Sequence, residues 1–142
     1  MKLRYLLDTG VVADPVTREP NAEILRRLRR KGSECAIAAP VWHELLMAVE
    51  ALPGGSESRG LFDRYLQDVV RPSFPVLPYD TDAAAWHARD RARRLRAGQR
   101  PVHADGQIAA IAVTAGLTLV TTRPRDYEGT PGLRVESWNR AT

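Results

Sequence analysis

Three carboxylates stand where solvation alone does not account for them. Asp8 ends the apolar run Tyr5-Leu6-Leu7, Glu44 lies beside the apolar face of a helix, and Asp105 opens the most apolar helical stretch of the chain. In a right-handedly connected open α/β sheet, strand ends and the amino termini of the following helices share one edge, where ligands bind. Gathered there, the three acids would repel one another unless a cation neutralised them. Oxygen donors without a Cys or His set at ligand spacing select Mg²⁺ or Mn²⁺ rather than zinc. Such an ion polarises a phosphate, acidifies a water and steadies a leaving oxygen, so a phosphodiester could be hydrolysed with no covalent nucleophile.

Plainer readings exist for each acid. Asp8 could cap a helix, Asp105 could do the same with help from the macrodipole, and Glu44 could be a solvated first-turn acid. Asp14, Asp80 and Asp82 read as turn and cap residues. His43 and His103 flank two of the acids and read as surface or hydrogen-bonding groups. Asp8-Thr9-Gly10 also matches the signature of aspartic proteases, which pair two such carboxylates. Those folds are built from strands and Gly-rich flaps, whereas this chain carries long helical stretches.

The elements that must position these groups follow from periodicity and breakers. Tyr5-Leu6-Leu7 reads as a buried strand. Asn21 or Pro20 opens a helix over Glu23 to Lys31, with Ile24, Leu25 and Leu28 inward, Arg26, Arg27, Arg29 and Arg30 outward, and Gly32 as the stop. Cys35 to Ala38 is a short strand leading through Pro40 into a helix from Val41 to Ala51, with Glu44 in its first turn. Pro53-Gly54-Gly55-Ser56 breaks the chain before a helix from about Ser58 to Val70. Phe74-Pro75-Val76-Leu77 is an edge strand, because proline cannot serve a central ladder. Asp80 or Thr81 caps a helix to about Leu95, ended by Gly98. Ala104 to Ala115 is a buried helix stopped by Gly116, Leu117 to Thr121 a strand, and Leu133-Arg134-Val135 a final short strand. Strands alternating with helices imply an α/β fold with a mainly parallel sheet.

At 142 residues the chain forms a single domain, 1–142, that buries roughly 68% of its unfolded surface and needs no staple. Cys35, the single cysteine, lies in an apolar run and reads as a buried residue of a reducing compartment, so a cytoplasmic location is expected. Met1 to Tyr5 offers no signal peptide, and no stretch is long and apolar enough to span a membrane. The net charge is +4 and Lys2 and Lys31 are the only lysines, so the positive charge is nearly all arginine. Arginine forks phosphate well, which favours RNA, DNA or an acidic protein as partner, and genomic base composition is an equal explanation of the same bias. The run Arg89, Arg91, Arg93, Arg94 and Arg96 is most simply a solvated helix face, with RNA contact as the other use. Trp42, Trp86 and Trp138 are expected in the core or at a dimer contact.

Four pieces in order resemble the PIN-domain family, and most closely its VapC-type ribonuclease toxins of bacterial toxin–antitoxin systems. They are Tyr5-Leu6-Leu7-Asp8-Thr9, similar to an opening "LLDT/S" strand; Ala38-Ala39-Pro40-Val41-Trp42-His43-Glu44-Leu45; Ala104-Asp105-Gly106-Gln107-Ile108-Ala109-Ala110 with Gly116 to Thr121; and Arg125-Asp126-Tyr127 with Pro131 to Val135, similar to "RDF" and "GL-x-V". The resemblance covers nearly the whole length. It implies a PIN-like three-layer sandwich with a central sheet of four to five strands, and an endoribonuclease dependent on Mg²⁺ or Mn²⁺. Asp8, Glu44 and Asp105 would be its catalytic and metal-holding residues, with Thr9 and Thr121 as supporting hydroxyls. It further implies a homodimer inhibited by a small VapB-like antitoxin. Two positions depart from the pattern. Gly10 replaces the usual Asn, and Arg123 stands where the family has a fourth acid or amide, leaving Asp126 as a substitute and Arg123 as a grip for phosphate. A catalytically weak PIN-like module that binds RNA or protein through its arginines is the rival reading.

Overall fold

The computed structural model describes residues 2–100 and 103–139, with His103 and Ala104 described by their backbone alone, so the reading of the His103 side chain lies outside it. Strand β1 (Tyr5–Leu7) is buried at every position, as the centre of a sheet covered on both faces requires. Asp8 stays extended and its Oδ1 accepts from Thr9 N at 2.8 Å, which starts α1 (Thr9–Ala13) immediately after the strand. A 3₁₀ turn at Asp14–Val16 leads to α2 (Ala22–Lys31), capped by Asn21, whose Oδ1 accepts from Glu23 N and Ile24 N. Strand β2 (Cys35–Ala38) passes without a linker into α3 (Ala39–Glu50), with Pro40 in the first turn. Ser56 caps α4 (Glu57–Tyr65), which continues through a π-helical turn (Leu66–Val70) into α5 (Arg71–Ser73). Strand β3 (Val76–Leu77), α6 (Thr81–Arg96), α7 (His103–Ala115), β4 (Thr118–Val120), a 3₁₀ turn (Pro124–Tyr127) and β5 (Val135–Glu136) complete the order.

The sheet has five strands in the order β3-β2-β1-β4-β5, and every pair is parallel. The proline-flanked β3 lies at the edge, as expected. Leu7 pairs with Ile37 on one side and Val120 on the other, which brings Asp8, Ala38 and Thr121 level at the carboxyl edge. The chain runs outward from β1 to β3 and then returns to β4 on the far side of β1. The crevice between β1 and β4 is therefore the topological switch point. By the right-handed crossover rule, α1 to α5 cover one face and α6 with α7 the other. The parallel α/β architecture excludes the aspartic-protease fold.

Several details differ from the expectations. Arg27 is buried rather than outward-facing, because its Nε donates to Glu23 Oε1 at 2.9 Å one turn earlier and its stem covers the core. Leu25 is only partly buried. Helix α3 begins at Ala39 rather than Val41, so Glu44 falls in its second turn. Strands β4 and β5 are shorter or shifted by one or two residues at their ends. Cys35 is fully buried, as is Trp138, whose ring meets Tyr5 edge-on at 5.2 Å between centroids. Trp42 and Trp86 are partly buried against the core. Among the described residues no helix is long and apolar enough to cross a membrane.

Candidate active site

Asp8 lies at the carboxyl end of the central strand, 1% exposed, and its carboxylate is fixed from two directions. Oδ1 takes the Thr9 amide, while Oδ2 accepts from Thr121 Oγ1 at 2.7 Å. Thr121 follows β4 directly and is itself buried; its hydroxyl oxygen also accepts from Arg123 N at 3.0 Å. A buried carboxylate is tolerated only with such partners. Here they come from both strands that border the switch point.

Asp105 enters from the first turn of α7. Its Oδ1 and Asp8 Oδ2 face the same two groups: Arg123 Nη2 at 3.4 Å from each, and the Tyr127 hydroxyl at 3.3 and 3.4 Å respectively. Asp8 and Asp105 are thus brought together. Glu44 joins less directly, accepting from Thr9 Oγ1 at 2.5 Å on the wall of the same cavity. No three His, Cys, Asp or Glu side chains among the described residues close on one point as a ready metal cage. Asp126 binds Arg123 Nη1 at 2.8 Å, so the aspartate weighed as a substitute ligand engages the arginine.

The cavity measures about 680 Å³ and opens to solvent. Its walls include Thr9, Glu44, Asp105, Arg123, Asp126 and Tyr127. Arg91 and Arg94 of α6 also line it, so this helix does not present a purely solvated face. Arg94 is anchored, with Nε donating to Asp90 Oδ2 at 2.9 Å and Nη2 to Thr130 Oγ1 at 2.8 Å. Asp90 is held below the usual carboxylate range: its partial burial opposes ionisation, but Arg93 and Arg94 outweigh it.

Electrostatics divide the site into acids and the groups that answer them. Burial, the largest influence on Arg123, opposes its charge, yet Asp8 and Asp105 reverse that and raise its pKa above the ordinary value. Tyr127 is pushed far up, first by burial and then by the same two carboxylates, so its phenol stays protonated and donates. Both departures from the family pattern have local consequences. A Cβ on Gly10 would stand 2.7 Å from Thr122 Oγ1, so the bare glycine makes room for the threonine after Thr121.

Two residues escaped the reading of the sequence as site residues. Tyr127 counted only as the aromatic of the piece similar to "RDF", and nothing in the sequence aims a loop phenol at two distant aspartates. His87 of α6 is buried and lines the cavity; its Nδ1 lies 2.8 Å from the Tyr79 hydroxyl. Its ring packs so closely on Gly106 that a Cβ there would stand 2.3 Å from Nε2.

A family model described as PIN domain matches residues 5–132. The chain is 28% identical over 136 residues to the tRNA(fMet)-specific endonuclease VapC of Salmonella typhimurium, covering 96% of this chain and 98% of that protein. It is 33% identical over 119 residues to the toxin FitB of Neisseria gonorrhoeae, covering 82% and 85%. Among solved structures, FitAB bound to a DNA fragment superposes with a TM-score of 0.86 at 26% identity over 97% of each chain. DNA-bound VapBC from Salmonella typhimurium superposes with 0.82 at 29% identity over 96% and 98%.

Proposed function

The chain belongs to the PIN-domain family, and from that premise we propose that it is the ribonuclease toxin of a VapBC-type toxin–antitoxin module, hydrolysing RNA phosphodiester bonds with Mg²⁺ or Mn²⁺. The observation that carries the proposal is the facing pair Asp8 Oδ2 and Asp105 Oδ1, which converge on shared partners in an open cavity at the switch point. The donor set fits a hard divalent ion: it is all oxygen, and a single cationic nitrogen already reaches both carboxylates. Mg²⁺ commonly binds through one or two carboxylates, with waters and substrate phosphate filling the other positions, so a cage of three acids is not required.

In this reading Asp8 and Asp105 hold the ion, and Glu44 binds it or orients its water. When bound, the ion supplies Lewis acidity to the phosphate and acidity to the attacking water. Thr121 and the Thr9 amide fix the Asp8 carboxylate, and the Thr9 hydroxyl aims Glu44. This preorganises the acids before substrate arrives. The arginines on the cavity wall attract an anionic RNA strand.

The same reading gives the chain a small VapB-like antitoxin as partner, a homodimeric state and a cytoplasmic location. Exposed Met47 and Leu61, on the packed helices α3 and α4, are apolar surface suited to a second copy. The rival reading, a weakly catalytic binding module, draws on the contact of Arg123 with both acids. Expression of the wild type in bacteria should arrest growth, and a short open reading frame directly upstream should relieve the arrest. Asp8→Asn should not arrest growth. Absence of arrest by the wild type would contradict the toxin assignment.

A further inference from the structure

Arg123 makes two kinds of contact that differ in length. Its Nη1 bond to Asp126 is 2.8 Å, within the usual charge-assisted range of about 2.7–2.9 Å, whereas Nη2 lies 3.4 Å from both Asp8 and Asp105. The tight bond is to the more exposed acid outside the pair, and the looser contacts are to the buried pair. The Arg123 side chain is half-exposed on the cavity wall, so it has room to turn without disturbing the core. Asp8 and Asp105 meanwhile keep donors that are independent of it, from Thr9, Thr121 and Tyr127.

Resting on the metal-dependent reading above, we propose that Arg123 is a displaceable internal cation. It neutralises Asp8 and Asp105 in the metal-free protein, gives way when a divalent ion enters, and, still tethered to Asp126, turns its free nitrogen to the phosphate of the incoming RNA. The position that carries an acid or amide in the family pattern thus serves here as a competitor of the metal and a grip for the substrate. Free metal binds weakly to such a site, because each ion must first displace a positive charge. An RNA phosphate offers that charge a new partner, so ion and substrate reinforce each other's binding.

The test is Mn²⁺ binding by the full chain, followed by calorimetry and by the electron paramagnetic resonance signal of free Mn²⁺. Arg123→Gln should bind Mn²⁺ about tenfold more tightly than wild type, the scale of a partly screened ion pair removed from two acids. Arg123→Lys, which keeps the charge, should remain within about threefold of wild type. At saturating Mn²⁺, Arg123→Gln should raise the KM for RNA about tenfold, with a smaller change in kcat. Circular dichroism of each variant checks that the fold is kept. Unchanged or weaker Mn²⁺ binding by folded Arg123→Gln, or an unchanged KM, overturns the inference. Asp8→Asn separates the two levels: if it abolishes Mn²⁺ binding, the metal site stands whatever Arg123 does, and if it binds Mn²⁺ as wild type does, both readings fall.

Discussion

Asp8 is a buried carboxylate that the fold satisfies twice over, through a backbone amide at the start of α1 and a hydroxyl at the end of β4. Its place was legible, because a carboxylate at the carboxyl end of an apolar strand sits where open α/β sheets bind ligands. Asp105 was legible as the acid opening the most apolar helical stretch, at the same edge of such a sheet. What each would touch was not: Tyr127 and Arg123 reach them from a turn whose direction depends on tertiary packing. Cys35 illustrates the opposite case, where burial alone decides the chemistry. Burial first, and then the charge of nearby Glu34, push its thiol up to about 12 from 9.0. The native thiol therefore keeps its proton where the unfolded one loses it. The stability this confers is complete below pH 9.0 and is lost as pH rises toward about 12. Alkylation should accordingly be slow in the native protein at pH 9 and rapid in urea; fast native labelling would contradict the burial.

At the scale of elements, the site depends on how closely α6 lies against α7. The contact rests on Gly106, one residue beyond Asp105, with the buried His87 ring above it and Tyr79 holding that ring from behind. A methyl group at 106 cannot be added without moving His87 or parting the helices. Gly106→Ala should therefore lose about 1–2 kcal/mol net, the overpacking cost exceeding the gain in helix propensity. A thermal melt would show a midpoint lowered by several degrees, while a raised midpoint, normal for Gly→Ala in an open helix, would contradict the close packing. The longer helices and their order were readable from periodicity and from caps such as Asn21 and Asp80, whereas α1 (Thr9–Ala13) was too short to show a period and Ser56, read as part of a break, caps α4. Offsets arose where neighbours intervened. Helix α3 starts at Ala39, directly after β2, two residues before the expected Val41, so Glu44 falls in the second turn and not the first. Arg27 is drawn into the core by Glu23, which a simple polar-face rule misses.

For the whole molecule, the parallel five-stranded order followed from strands alternating with helices, whereas the register that levels Asp8 with Thr121 could only be read from the structure. That register and the start of α7 together place a carboxylate pair, Asp8 and Asp105, at the switch point, with arginines on the wall around it. Loaded with a divalent ion, this pair is expected to cut RNA. The most direct test is cleavage of end-labelled structured RNA by purified protein with Mg²⁺ or Mn²⁺, with EDTA, and by Asp8→Asn. The wild type should cut only with the ion, and EDTA or the substitution should each slow cutting by about a hundredfold or more. Cutting that persists in EDTA or in Asp8→Asn, or a wild type inert with either ion, would contradict metal-dependent cleavage at this pair.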